Sequence, residues 1–328
     1  IYLNPAGGVE FNGISAEYQF FKGTLDKLEI KPLIFRVGTY KSAVEPFFRT
    51  DMSEESKAQT RSFLSSIHNH VLGDIAQSRG LTVPYLMGLK DSLKVTTPHS
   101  ALKYKLVTHV NYYDEFESDL RKTLKINDAD KKIEFISLDK YDKADDVLKE
   151  EGDRKNRIAV VLTSGEIISG KGGDGQIGSE KVVSELRKLR KDKAVKAVVL
   201  RIDSPGGSAL ASDVIWREVM KTRESKPVIA SMGDYAASGG YYMAMGCNKI
   251  VAEPTTITGS IGIFGTLFNF DTFLKNKLGI TSDRVGTNAH ADWPSVTREM
   301  TEFEKNVIQQ QVNRGYEMFT SKAAQGRK

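Results

Sequence analysis

Cysteine is almost absent: Cys247 is the single one in 328 residues. That excludes an internal disulfide and any zinc site built on cysteine pairs. Cys247 stands just after the apolar stretch 241–245, the setting of a buried structural thiol rather than of a nucleophile. Long apolar runs are missing too. None reaches the about 18 residues of a membrane span, so any anchor would lie outside this chain. Histidine is scarce, with five in all, and nowhere does metal-ligand spacing appear, so no metal and no cofactor are expected. Neither sign of charge dominates: 47 Lys and Arg face 42 Asp and Glu. The lysines are interleaved with acids, which describes a solvated surface and argues against nucleic-acid binding. An initiator Met is also lacking, since the chain opens on Ile1 with no signal peptide before it; it reads as cut at its start. What remains is a globular composition, 40% hydrophobic and 27% charged, which excludes a disordered or fibrous chain. The length corresponds to about two domains.

From Arg157 onward, strand patterns alternate with helix patterns. Residues 158–163 (IAVVLT) form a continuous apolar run, as in a strand buried on both faces. Helical spacing follows over 180–191, where Val182, Val183, Leu186 and Leu189 share a face. The order continues as strand 195–202, helix 209–221, strand 228–231, buried helix 239–246 and strand 250–252. Such an order implies an α/β fold with a mostly parallel sheet and helical crossovers. Upstream, 52–78 is amphipathic and helical, and the highly charged 121–156 reads as a connector.

One unit occurs twice. Arg36-Val37-Gly38-Thr39 returns as Arg284-Val285-Gly286-Thr287, and the same offset pairs Pro46 with Pro294, Met52 with Met300 and Lys57 with Lys305. The repeat divides the chain into 1–120, the end of a first copy; 121–156, the connector; and 157–328, a second copy without its last segment. Both copies read as truncated, the first at its front.

Two glycine-flanked turns follow successive strands. Asp203-Ser204-Pro205-Gly206-Gly207-Ser208 leads from one strand into a helix, and glycine there lets a backbone N–H face a reacting group. Ser238, in Gly233-Asp234-Tyr235-Ala236-Ala237-Ser238-Gly239-Gly240, opens the next helix. It is either an N-cap or a nucleophile at the positive end of that helix. Parallel sheets place ligand sites at the carboxyl ends of their strands, which favours the second role. A serine nucleophile needs a base. His68 and His70 lie on the amphipathic helix and point to different sides, and His99 and His109 fall in weakly patterned sequence; His290 stays a candidate. Lysine serves where burial lowers its pKa. In the repeat frame Lys41 of the first copy meets Ala289 of the second, so this lysine is specific to one copy. Gly173–Gly178 matches GxGxxG, but it sits about ten residues past its strand without a tight strand-to-helix turn, against a dinucleotide site.

Taken together, SPGGS, GDYAASGGYYMA, TGSIGIFG (258–265) and RVGTYKSAVEPF (36–47) resemble the signal peptide peptidase (protease IV) family in its long form, over essentially the whole chain. The resemblance implies tandem crotonase- and Clp-protease-like domains and a Ser–Lys dyad split between the copies. It implies Ser238 as nucleophile, Lys41 as general base and Ser260 as the serine that orients the lysine. Gly239 would be one oxyanion donor, and Gly207, in preference to Gly206, the other. Asp234 and Tyr235 depart from the small residues of other members. The family further implies peptide substrates, signal peptides and apolar segments among them. It also implies a homotetramer, and a membrane-anchored protein of the inner membrane whose catalytic part faces the periplasm. Three alternatives stay open: a Ser238–His290 pair with Asp203 or Asp234, a crotonase-like coenzyme A thioester enzyme, and a scaffold in which Ser238 and Lys41 never meet.

Overall fold

The computed structural model describes residues 1–127, 131–142 and 155–327. By its contacts the chain divides into two compact units, 1–15 with 64–152 and 16–63 with 153–328. This division cuts elsewhere than the repeat does, and it puts the segment bearing Lys41 into the unit that contains Ser238. The charged stretch 121–156 begins inside a helix, Tyr113–Leu124, and lies outside the described residues at 128–130 and 143–154.

The smaller unit is mainly helical. Leu72 and Ala76 of helix α1 (Glu54–Arg79) pack with Leu86 and Leu89 of the helix Val83–Asp91 and with Ala101 and Leu106. A short parallel pair, Tyr2–Leu3 with His109–Val110, closes it.

The larger unit is built on a parallel sheet. Its strands are β2 (Arg157–Ser164), β5 (Val195–Ser204), β6 (Val228–Ala237), β7 (Lys249–Val251) and β8 (Ile257–Gly259). The order is β8-β6-β5-β2, with β7 also pairing with β6. Three helices cover one face: α2 (Ser179–Lys191), α3 (Ala209–Arg223) and α4 (Gly239–Ala244). Their apolar stripes supply Val182 and Leu186, then Ala211, Ile215 and Val219, then Met243 and Ala244, against Val198, Leu200, Ile202 and Ala230 of the strands. Each fully buried aliphatic side chain contributes about 1.5–3 kcal/mol. Cys247 lies in this core, and burial pushes its thiol up to about 12.

The expectation of a strand buried on both faces over 158–163 is corrected. β2 is the edge strand, and Ile158, Val160 and Leu162 are 68%, 59% and 77% exposed. Ala159, Val161 and Thr163 turn to the core. A continuous apolar run fits either a central strand or an edge strand with one apolar outer face; the pattern does not tell them apart.

Two smaller strand pairs belong to the same unit. β3 (Glu166–Ile168) and β4 (Gln176–Gly178) pair in parallel, and the GxGxxG motif is spent in that turn. β1 (Lys31–Arg36) runs antiparallel to β9 (Phe264–Asn269), with Arg36 opposite Phe264. The final helix α5 (Glu302–Gly326) starts with a capping box of Thr301 and Glu304. Although Arg284–Thr287 repeats the sequence Arg36–Thr39, it forms no strand, and Val285 is fully exposed. Lys31–Arg36 has β9 to pair with, whereas the second instance has no such partner among the described residues.

Candidate active site

The two serines meet because two strands end in register. β6 and β8 are parallel, with Ala237 opposite Gly259, so the next residues, Ser238 and Ser260, emerge side by side at the sheet's carboxyl edge. The Ser238 N–H donates to the Gly259 carbonyl at 2.9 Å. Both serines have left-handed φ values, 52° and 50°. For a non-glycine residue such a conformation costs about 1–3 kcal/mol. At Ser238 it turns the strand sharply into α4 and presents the hydroxyl at the helix start.

Lys41 arrives along another route. β1 is held in register by β9, and the chain turns at Gly38 (φ 73°) before reaching the lysine. Lys41 Nζ then stands 3.3 Å from Ser238 Oγ, 2.9 Å from Ser260 Oγ and 3.1 Å from the Ser260 carbonyl. Gly262 makes room for the lysine stem, since a Cβ there would lie 3.2 Å from Lys41 Cδ. Among the described residues no carboxylate neutralises the amine. Burial lowers its pKa from 10.5 to about 8, because desolvation disfavours the charged form.

The SPGG turn folds back over this pair. Gly206 has φ 111°, and a Cβ there would lie 2.8 Å from Ser238 Cβ. Its N–H is already used, donating to Ser204 Oγ at 3.1 Å, and its carbonyl accepts from Ile167 N–H at 2.8 Å. Gly207 differs: its neighbour Ser208 donates to the Ile167 carbonyl, while the Gly207 N–H has no acceptor among the described residues. Gly239 is the first residue of α4, so its N–H has no intrahelical partner. Among the described residues two donors of the cleft lined by Ser238 are thus left free, at Gly207 and Gly239.

The cleft around these groups has a volume of about 830 Å³. Lys41 and Glu166 are the charged residues along it; Ile167, Ile263, Phe264, Met318 and Phe319 supply most of the apolar wall. Among the described residues no group of His, Cys, Asp or Glu is placed to hold a metal ion.

The five residues that the resemblance gave to the site therefore line one cleft: Ser238, Lys41, Ser260, Gly239 and Gly207. His290 does not. Its Nδ1 is 3.0 Å from Glu304 Oε1, its ring packs on Phe303, and it does not line the cleft. Asp203 accepts from the Tyr235 N–H at 3.0 Å. Sequence reasoning missed Ser204. It is fully buried, donates to the Gly165 carbonyl at 2.7 Å and consumes the Gly206 N–H. No local signal marked it, since the same strand also carries Lys196, Arg201 and Asp203. Met318 and Phe319 were also missed, since nothing local marks a distant helix as part of the cleft.

A turned serine beside a half-buried, uncompensated lysine, with two free N–H groups, is the equipment of acyl transfer by a hydrolase. Comparison with known proteins gives the family. The model of peptidase family S49 matches residues 1–127 and 220–328, and that of the Clp protease matches 150–257. The chain belongs to peptidase family S49, and its α/β fold with a mostly parallel sheet is Clp-protease-like. Protease 4 of Haemophilus influenzae is 38% identical over 100% of this chain and 54% of its own length. Protease 4 of Salmonella typhi is 36% identical, over 53% of its length. The chloroplastic serine protease SPPA of Arabidopsis thaliana is 32% identical, over 49% of its length. The chain spans about half the length of these relatives.

Proposed function

We propose that this chain carries a serine endopeptidase centre in which Ser238 is the nucleophile and Lys41 its general base. Neutral Lys41 takes the Ser238 proton as Oγ attacks a peptide carbonyl. The N–H groups of Gly239 and Gly207 hold the oxyanion of the tetrahedral intermediate. Lys41, now an ammonium, protonates the leaving amine, and the acyl-enzyme forms. Lys41 then deprotonates a water that attacks the ester, and Ser238 is released. Ser260, through Oγ and carbonyl, holds the amine in line. The observation that carries this reading is the 3.3 Å approach of the Lys41 amine to Ser238 Oγ.

The substrates of this reading are peptides with apolar segments, cleaved signal peptides among them. The names of the relatives, two called Protease 4 and one serine protease SPPA, support its peptidase part. The complete protein would be a homotetramer on the inner membrane with this part on the periplasmic side. Among the described residues no helix is long and apolar enough to cross a membrane. In the same reading the first repeat supplies the lysine and the second the serine.

The test is labelling with a fluorophosphonate, comparing the unaltered chain with Ser238→Ala and Lys41→Met. Loss in both variants is the expected result. Loss only in Ser238→Ala would mean another base and sink the dyad. His290→Ala, made in parallel, should label at the unaltered rate.

A further inference from the structure

The cleft ends on an aromatic pair contributed by two helices. Phe319 of α5 is 2% exposed, and its ring stands 4.6 Å from that of Tyr242 on α4. Both line the cleft that holds Ser238. Tyr242 is one helical turn past the serine, and its N–H donates to the Ser238 carbonyl at 2.9 Å. The ring that bounds the cleft and the hydroxyl that reacts there are therefore parts of one short helix.

This pair is fastened from behind. Tyr242 Oη donates to Asp213 Oδ1 at 2.8 Å, and Lys322 Nζ donates to the same oxygen. Lys322 also lies 4.0 Å from the centre of the Trp216 ring. Its side chain is 20% exposed and that of Asp213 29%, so the pair is better shielded than a surface bridge. Asp213, Trp216 and Lys322 stay outside the cleft lining. Beyond the latch, a Cβ on Gly326 would lie 2.1 Å from the Met245 carbonyl, and Arg327 donates to that same carbonyl at 3.1 Å. The C-terminal turns of α5 are thus seated on α4 and α3 through these polar contacts and through a buried apolar cluster of Trp216, Tyr242, Met245 and Phe319.

We propose that Asp213 and Lys322, acting through Tyr242 and Phe319, are positioning residues that set how large an apolar side chain the cleft accepts. The proposal rests on the peptidase reading and concerns the substrate residue on the acyl side of the scissile bond. The physical argument is one of wall stiffness. With the latch closed, the Tyr242 hydroxyl is satisfied and its ring is pinned against Phe319. With it open, a buried hydroxyl loses its acceptor and the end of α5 loses its ion pair to α3. Space then opens at the aromatic wall. A bulky side chain gains contacts there; a small one gains none.

The experiment uses the full chain and three peptidyl diphenyl phosphonates that differ only in carrying an Ala, Leu or Phe side chain next to phosphorus. Ser238 Oγ displaces phenoxide from such a probe, so the labelling rate reads fit without peptide turnover. The Phe-to-Ala rate ratio should rise about tenfold in Asp213→Ala and Lys322→Met, the scale on which pocket size discriminates. It should stay near the unaltered value in Lys322→Arg. Phe319→Ala, which opens the wall directly, should shift the ratio the same way and covers the case that Asp213→Ala does not fold. Unchanged ratios, or equal slowing of all three probes, would overturn the latch while leaving the peptidase reading intact. An unaltered chain that reacts with neither these probes nor a simple fluorophosphonate would overturn both.

Discussion

Lys41 faces three serine oxygens and, among the described residues, no carboxylate, so the desolvation of its ammonium goes without a counter-charge. The direction of the effect on activity follows. The base must be neutral, burial brings its pKa to about 8, and activity should therefore rise with pH through about 8 and level off above it. At pH 7 roughly one molecule in ten has the neutral amine, against roughly one in 2,500 for a free lysine with a pKa of about 10.4. A kcat/KM profile from pH 6 to 10 checks this; a single limb near the imidazole value of about 6.5 would point away from lysine. The glycines make a second prediction. A Cβ on Gly207 would lie 2.1 Å from the Ile167 carbonyl, so Gly207→Ala must displace the turn that offers the N–H. Loss of one oxyanion donor lowers kcat by about 10²–10³-fold, with KM little changed, as steady-state kinetics would show. Ser204→Ala acts differently. It leaves the buried Gly206 N–H and Gly165 carbonyl without their partner, and about 1–3 kcal/mol of stability should go with it, read from the urea midpoint. At this scale much of the site was legible. Lys41 stood out because its repeat mate is Ala289, and Ser238 because glycines flank it. Ser204 was not, since a buried serine looks like any other until its two partners are in place.

Among the elements, the β1–β9 pair decides whether the lysine reaches the serine at all. Phe35 lies at its centre, 5% exposed, packed with Met300 and Val312. Phe35→Ala should cost about 3–5 kcal/mol, and the loss should be felt where Lys41 is delivered rather than in the sheet that carries Ser238. Fluorophosphonate labelling should then fall well before the far-ultraviolet circular dichroism does in a denaturant series. Coincident loss of the two signals would argue against this division. The pairing explains why this part of the fold was illegible. The parallel strands and crossover helices announce themselves by local period, and the sheet appeared where the apolar runs put it. An antiparallel ladder between Lys31–Arg36 and Phe264–Asn269 joins segments far apart in the chain and leaves no local trace. The outer face of β2 was hidden for a related reason. Ile158, Val160 and Leu162 are as apolar as core residues, so no alternation distinguishes the exposed side from the buried one.

For the whole molecule, the demands of the site and of the surface pull in opposite directions along the pH axis. The net charge is +5 at pH 7 and the sequence pI is about 9.0, so mutual repulsion fades over the same interval in which Lys41 becomes neutral. Loss of net charge favours association of protein molecules. Static light scattering should increase between pH 7 and 9 and return to its starting value on readjustment to pH 7; scattering that stays flat would count against this. The two effects separate by concentration. Titration of Lys41 is internal to one molecule, so the rise of activity through about pH 8 should be the same at every protein concentration. A decline near pH 9 caused by association should move to higher pH, or vanish, on dilution. A profile whose rising limb shifts with concentration would mean that the active centre is completed only on assembly.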